Sequence, residues 1–173
     1  SKSFTLSHVV ETKLINMYCV GIDIGTSSIC GVAYNLSTED CITIVKDNNT
    51  SIISGNQWEK TQDADAIFHI VEKILLEFRQ QCTDIKGIGF SGQMHGMLYV
   101  DKCGEAVSPL YTWQDGRGNL IYKEGQSYAS FLNQETGYPM ATGYGLVTHF
   151  YNEQNNLVPS SANKLCTIMD YVA

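Results

Sequence analysis

What most constrains the fold of this chain is the order of five segments in its first half: three β-like runs, a helix and a fourth strand. The runs are "YCVGIDIG" (18–25), "ICGVAYNL" (29–36) and "CITIVKD" (41–47), which are rich in apolar and β-branched residues. Only short turns separate them, and short connections join antiparallel neighbours. We therefore expect a meander of three antiparallel strands.

A helix is predicted after the meander. Apolar residues recur with helical spacing at positions 67, 70, 71, 74, 75 and 78, and the pattern runs to about Gln81. Asp63 and Asp65 precede it, where the positive end of a helix dipole favours carboxylates. "IKGIGF" (85–90) is then predicted to be a buried strand. Sheet and helix in this order indicate an α/β fold.

The second half of the chain is less regular. Two β-like pieces, at 96–100 and 110–113, precede a mostly polar helix predicted near 117–133. The last stretch, "NKLCTIMDYVA", begins an apolar strand and a turn and then stops. We expect the chain to end inside a fold.

Composition excludes some classes of partner. The formal net charge of the 173 residues is −7, whereas nucleic-acid binding needs clustered Lys and Arg. Residues 1–16 lack the apolar core of a signal peptide, and no apolar run is long enough to span a membrane. The six cysteines form no CxxC pair and resemble reduced core residues. We expect a cytoplasmic protein that binds neither nucleic acid nor membranes; its oligomeric state is left open.

The first chemical motif is "GIDIGTSS" (21–28). Asp23 follows apolar residues near the end of a strand, where a buried, unpaired carboxylate would be costly, so it should face an opening. Gly25 allows close backbone approach, and Thr26 and Ser27 offer hydroxyls and amide groups suited to phosphate. Asp23 could then hold Mg²⁺ directly or through water. The alternative is an ordinary glycine-centred hairpin with polar turn residues.

The second motif is "GQMHG" (92–96), after the predicted strand 85–90. Its neighbourhood includes "GIGFSG" (87–92), which matches a dinucleotide fingerprint, but the glycines lie inside a strand and no helix follows, so we reject that interpretation. Gln93 and His95 carry groups that bind hydroxyls, and Met94 offers an adaptable apolar contact, as a polyol site would need. The alternative for His95 is a core histidine with its hydrogen bonds satisfied.

The third motif is "YTWQDGRG" (111–118). Trp113 could cover the C–H face of a sugar, and Asp115 with Arg117 could clamp its hydroxyls. The alternative places Trp113 in the core and makes Asp115 and Arg117 a local ion pair at a helix start.

Together with "ATGYG" and "TIMDYVA", these motifs occur in the order found in carbohydrate kinases of the FGGY family, which the chain resembles over about residues 18–173. The set is most similar to the sedoheptulokinase branch and slightly less to the xylulokinase branch. The resemblance implies a ribonuclease-H-like fold of the actin, hexokinase and Hsp70 type. Residues 18–173 would form the first part of the N-terminal kinase domain, after an extension over residues 1–17 that could be partly foreign to the natural protein.

The resemblance also implies an activity, in which ATP with Mg²⁺ phosphorylates a terminal hydroxyl of a ketose. Asp23, Gly25, Thr26 and Ser27 would bind phosphate, and Asp23 the metal. The residues on the sugar side would be Gln93, Met94, His95, Trp113, Asp115 and Arg117.

The catalytic base and the adenosine pocket are expected after Ala173, so this chain alone is expected to be inactive. Asp170 is interpreted as part of a helix start instead of the base. Two further classes stay open: a noncatalytic sugar-binding module, and an ATPase of the actin or Hsp70 type.

Overall fold

The computed structural model describes residues 16–173. In chain order its strands are β1 (Met17–Ile24), β2 (Ser28–Asn35), β3 (Cys41–Asp47), β4 (Ser51–Ile52), β5 (Thr61–Gln62), β6 (Asp84–Gly92), β7 (Leu98–Val100), β8 (Leu110–Tyr111), β9 (Ile121–Lys123), β10 (Gln126–Ser127) and β11 (Lys164–Cys166). The helices are α1 (Ala64–Gln81), α2 (Tyr128–Thr136), α3 (Gly145–Gln154) and α4 (Ile168–Val172), with a 3₁₀ turn at Arg117–Asn119. The predicted extension over residues 1–17 lies, except for its last two residues, outside the described residues and stays a prediction.

The main sheet has the strand order β3-β2-β1-β6. Strands β1, β2 and β3 pair antiparallel, and β6 pairs parallel to β1. Every second residue of β1 is buried, from Tyr18 to Ile24, as strand geometry requires when one face packs on a core. The predicted meander is confirmed.

Helix α1 covers the buried face of this sheet. Asp63 caps it by accepting a hydrogen bond from the backbone amide of Ala66 at 2.9 Å. Its buried side chains recur at helical spacing: Ala64, Ile67, Val71, Ile74 and Phe78. Full burial of an Ile or Phe side chain contributes about 1.5–3 kcal/mol, so this face, which the sequence predicted, anchors the helix to the sheet.

Strand β6 is longer and more exposed than predicted. It spans Asp84–Gly92, and residues 86–89 within it are exposed. The prediction of a buried strand is wrong because, among the described residues, β6 is an edge strand of the four-stranded sheet and pairs only with β1. Its glycines lie inside the strand, which confirms that "GIGFSG" is no dinucleotide fingerprint.

The predicted helix near 117–133 is also wrong over most of its length. A β-hairpin of β9 and β10 occupies its middle, turning at Glu124 and Gly125, both with positive φ. Such two-residue turns match the twist of the paired strands. Helix α2 starts only after Ser127, whose hydroxyl accepts a hydrogen bond from the amide of Ser130.

A second, three-stranded sheet has the order β4-β5-β8. In it, Gln62 of β5 pairs with Leu110 of β8. The sheet thereby brings the irregular segment before α1 close to the "YTWQDGRG" motif, although the two are far apart in sequence.

Two smaller predictions meet different outcomes. All six cysteines are free thiols, but only Cys82 is buried, so the assignment to the core is confirmed for Cys82 and wrong for the exposed Cys19, Cys41 and Cys103. Asp170 does belong to a helix start: with Thr167 it forms a capping box at the start of α4, and the hydrogen bonds from Thr167 lower the pKa of the Asp170 carboxyl.

Among the described helices, none combines the length and apolar character that a membrane crossing needs.

Candidate functional site

The β1–β2 turn carries the predicted phosphate motif. The backbone amide of Gly25 donates to the carbonyl oxygen of Ser28 at 2.9 Å and closes the turn. A Cβ at Gly25 would lie 2.8 Å from that same oxygen, so the turn requires glycine. Asp23 is exposed, as predicted, and accepts one hydrogen bond from the Ser91 hydroxyl at 2.7 Å. The rest of its carboxylate faces solvent.

Gln93 lies beside this turn. The parallel pairing of β1 and β6 puts Ile24 opposite Gly92, and the amide of Gln93 donates to the carbonyl of Ile24 at 2.9 Å. The carboxyl ends of both strands therefore lie at one edge of the sheet, which is where open α/β folds bind ligands. Gln93 is 8% exposed, and its side-chain oxygen is buried without a hydrogen-bond partner among the described residues.

Met94 and His95 follow at the surface of this edge. Met94 is exposed. His95 has a φ of 67°, a left-handed conformation that costs a non-glycine residue of order 1–3 kcal/mol and occurs mainly where surrounding contacts impose it. Its imidazole stacks on the Tyr144 ring, with centroids 4.2 Å apart and planes 10° apart. The pair borders a pocket of about 410 Å³ that also includes Met140.

Trp113 connects the third motif to the β1–β2 turn. Its indole is 48% exposed, so it is not a core residue, and its Nε1–H donates to the Thr26 hydroxyl at 3.0 Å. Gly143 of "ATGYG" fixes the backbone here: its φ is 83°, and a Cβ on it would lie 1.9 Å from the Trp113 carbonyl oxygen. The "ATGYG" motif therefore supports Trp113 through a contact that only glycine permits.

Asp115 and Arg117 form a buried ion pair. Both side chains are at most 2% exposed, and Arg117 Nε lies 2.7 Å from Asp115 Oδ1. The other carboxylate oxygen accepts from the backbone amide of Lys60, and Arg117 Nη1 donates to Asn152. The guanidinium lies 4.2 Å from the centroid of the Tyr111 ring. Burial raises the pKa of the Tyr111 phenol, and the nearby positive charge of Arg117 offsets only part of this increase. These contacts match the ion-pair alternative; direct contact of the two side chains with a sugar stays a prediction.

A polar groove opens on the other side of Thr26. It encloses about 660 Å³ between the segment before α1 and Thr112. Its wall includes Gln62, which is 1% exposed and which the sequence motifs did not mark. No periodicity singles out Gln62; only the pairing of β5 with β8 places it here.

The similarity of this chain to known proteins identifies its family. The model of the N-terminal domain of the FGGY family of carbohydrate kinases matches residues 18–173. This chain belongs to that family. The match includes each of the three motifs described above.

Curated relatives of this FGGY chain include two kinds of ketose kinase. The chain is 31% identical over 180 residues to sedoheptulokinase of Mus musculus, which covers 88% of the chain and 36% of that protein. It is 31% identical over 102 residues to xylulose kinase of Staphylococcus xylosus, covering 58% of the chain and 21% of that protein. The chain thus spans about a third or less of the length of these relatives.

Solved structures confirm the fold. Gluconate kinase from Lactobacillus acidophilus superposes with a TM-score of 0.75 at 23% identity, over 91% of this chain and 32% of that one. Ligand-bound xylulose kinase from the same organism gives 0.75 at 24% identity, over 90% and 32%. The predicted ribonuclease-H-like fold, in the form found in FGGY kinases, is confirmed.

Proposed function

We propose that this protein transfers the γ-phosphoryl group of ATP to a terminal hydroxyl of a ketose, with a sedoheptulose-like sugar as the acceptor. Family membership and the sedoheptulokinase relative support this proposal. The free thiols are compatible with the cytoplasm, where we place the reaction.

The observation that carries the proposal is the hydrogen bond between Trp113 and Thr26. An indole N–H can only donate, so the Thr26 hydroxyl must accept this bond, and its own hydrogen stays available to donate. A donor in a glycine-containing turn, next to an exposed aromatic face, suits a phosphoryl oxygen on one side and a sugar on the other. The bond therefore joins the two halves of a sugar kinase site.

Asp23 fits the role of a magnesium ligand. No cluster of three or more His, Cys, Asp or Glu side chains within residues 16–173 could hold a metal by itself. Mg²⁺ commonly keeps several waters and binds one or two carboxylates plus substrate phosphates. The exposed Asp23 carboxylate, of which Ser91 occupies one oxygen, supplies such a ligand, and bound Mg²⁺ would neutralise phosphate charge there.

The acceptor side is formed by Gln93, Met94 and His95. The buried side-chain oxygen of Gln93, which has no partner among the described residues, would accept a hydrogen bond from a sugar hydroxyl. This bond would remove the free-energy cost of leaving a buried acceptor without a donor. His95, held against Tyr144, presents an oriented imidazole edge. Trp113 contributes an apolar face, and we assign Asp115 and Arg117 to positioning the Trp113 segment, because their polar atoms are engaged within the protein.

In the transfer itself, the acceptor oxygen bonds to the γ-phosphorus, the bond to the β-phosphate oxygen breaks, and ADP leaves. We expect the hydroxyl proton to go to a carboxylate that follows Ala173 in the intact protein. The residues of this chain therefore bind and orient both substrates, which is most of what phosphoryl transfer asks of a protein.

Xylulose is the second candidate acceptor, because a xylulose kinase is also among the relatives at 31% identity. The two sugars differ in chain length, which is read by pocket walls. Release of ADP by the intact protein with Mg-ATP distinguishes them when sedoheptulose, xylulose, ribulose, glycerol and no sugar are compared. Ketose-dependent release is expected; sugar-independent or absent release would contradict the proposal.

Two variants test the site assignment in the same assay. Asp23→Ala should abolish turnover. Asp40→Ala, which changes an exposed Asp in the connection between β2 and β3, should not. His95→Ala should raise the KM for the ketose about tenfold or more, because it removes a hydrogen bond worth about 1.4 kcal/mol or more. His69→Ala, which changes an exposed histidine of α1, should leave the KM unchanged. Unchanged sugar kinetics in His95→Ala would show that the acceptor binds elsewhere.

A further inference from the structure

A chain of side-chain amides links the two halves of the site. Gln93 Nε2 donates to Gln62 Oε1 at 2.9 Å, and Gln62 Nε2 donates to the backbone carbonyl oxygen of Thr26 at 2.9 Å. Both glutamines are buried, with Gln62 1% and Gln93 8% exposed. The chain runs from the end of β6, through the three-stranded sheet, to the β1–β2 turn.

The direction of this chain is determined by its last member. A carbonyl oxygen can only accept, so Gln62 must present its NH₂ group to Thr26 and its oxygen to Gln93. Gln93 must then present its own NH₂ group to Gln62. Its oxygen is left as a buried acceptor without a partner among the described residues, at the end of this series of bonds that the proposed function assigns to the sugar.

Thr26 receives hydrogen bonds at both of its oxygens. Gln62 donates to its carbonyl, and Trp113 donates to its hydroxyl. Gln62 therefore contacts the phosphate-side turn, although it belongs to neither strand of that turn.

We propose that Gln62 is a positioning residue that couples acceptor binding at Gln93 to the phosphate-side turn at Thr26, an inference that rests on the proposed function. A sugar hydroxyl that donates to Gln93 completes the chain, and hydrogen bonds in series at low dielectric strengthen one another. Binding of the sugar then orders the turn that contacts ATP. Because coupling between two sites is reciprocal, nucleotide tightens sugar binding by the same factor.

The experiment measures ketose affinity by calorimetry in the intact protein, with and without a nonhydrolysable ATP analogue and Mg²⁺. Sedoheptulose and xylulose are the probes. The wild type should bind its ketose at least about fivefold more tightly with the analogue, the lower end of typical coupling. Gln62→Leu should lose the coupling, so its ketose affinity with the analogue should stay within about twofold of its affinity without the analogue. Gln57→Leu, an exposed glutamine of the same groove, should keep it.

Gln62→Glu separates positioning from mere packing. The ionised carboxylate of this variant accepts from Gln93 but cannot donate to Thr26, so coupling is absent at high pH. As the pH falls through the pKa of the introduced carboxyl, which burial raises, the protonated group donates to Thr26 and coupling returns. A variant that only disturbed packing would show no such recovery.

The outcomes distinguish the two proposals. If neither ketose binds the wild type, the proposed function fails, and the coupling role fails with it. If a ketose binds but coupling is absent in the wild type, or persists in both Gln62 variants, only the role of Gln62 is overturned. Should a variant not fold, hydrogen exchange in the wild type decides: the ketose should slow exchange at residues 25–28, and unchanged exchange there overturns the inference.

Discussion

Two charged groups of this molecule lie in similar polar motifs of the sequence but in opposite environments of the structure. They are Asp23 and the Asp115–Arg117 pair. Asp23 is exposed and accepts one hydrogen bond from the Ser91 side chain. The Asp115–Arg117 pair is buried. The Asp115 carboxylate also accepts a hydrogen bond from the backbone amide of Lys60. A charged side chain is therefore available to a ligand only where part of its hydrogen-bonding capacity is unused, and the presence of a charge in the sequence does not reveal this.

The two groups should also differ in how much they contribute to the stability of the fold. Removing one member of a buried ion pair leaves an uncompensated charge at low dielectric, which costs several kcal/mol. An exposed carboxylate is solvated with or without a protein partner, so its removal changes stability little. Stability measurements on matched variants can therefore test this contrast.

The largest effect is expected for Arg117→Met. Asp115 would stay buried without its cation, and the free energy of unfolding should fall by about 3–5 kcal/mol in urea titrations. Lys86→Met is the control, because Lys86 forms an exposed pair with Asp84 and should cost at most about 1 kcal/mol. Equal losses in the two variants would show that the Asp115–Arg117 pair is solvated and would remove the contrast.

A smaller effect is expected for Gly143→Ala. Both Gly143 and the control Gly137 have positive φ, 83° and 72°, but a Cβ at Gly137 meets no atom within 4 Å. Gly137→Ala should therefore cost only the left-handed strain, about 1–2 kcal/mol. Gly143→Ala should cost about 1–3 kcal/mol more, because the Trp113 carbonyl must move. Identical unfolding midpoints for the two variants would contradict the close contact between "ATGYG" and Trp113.

The smallest effect on stability is expected for Asp23→Asn. Its unfolding free energy should stay within about 0.5 kcal/mol of wild type, because the amide oxygen can still accept from Ser91. Turnover with Mg-ATP should nevertheless be lost in the intact protein. A stability loss as large as that of Arg117→Met would assign Asp23 to the scaffold and leave the phosphate side without its metal ligand.

Part of the site could be predicted because its signals are local. The strand that ends at Asp23, the turn at Gly25 and the polar residues after β6 are each visible within a few residues. Parallel pairing then brings Gln93 beside Ile24, as expected for strands of one sheet.

Gln62 and the burial of Arg117 could not be predicted in this way. Gln62 reaches the site through pairing with Leu110, and Arg117 is satisfied by Asn152, 35 residues later. Such contacts leave no periodicity in the sequence, because each depends on where distant segments meet.

Local patterns in the sequence suffice to predict the meander, helix α1 and the motifs of an FGGY kinase, since apolar periodicity and turn chemistry act over a few residues. Which polar residues stay exposed and which hold the fold together is visible only in the folded chain. The free energy of a polar group depends on its burial and on its partners, and both come from the packing of residues far apart in the chain.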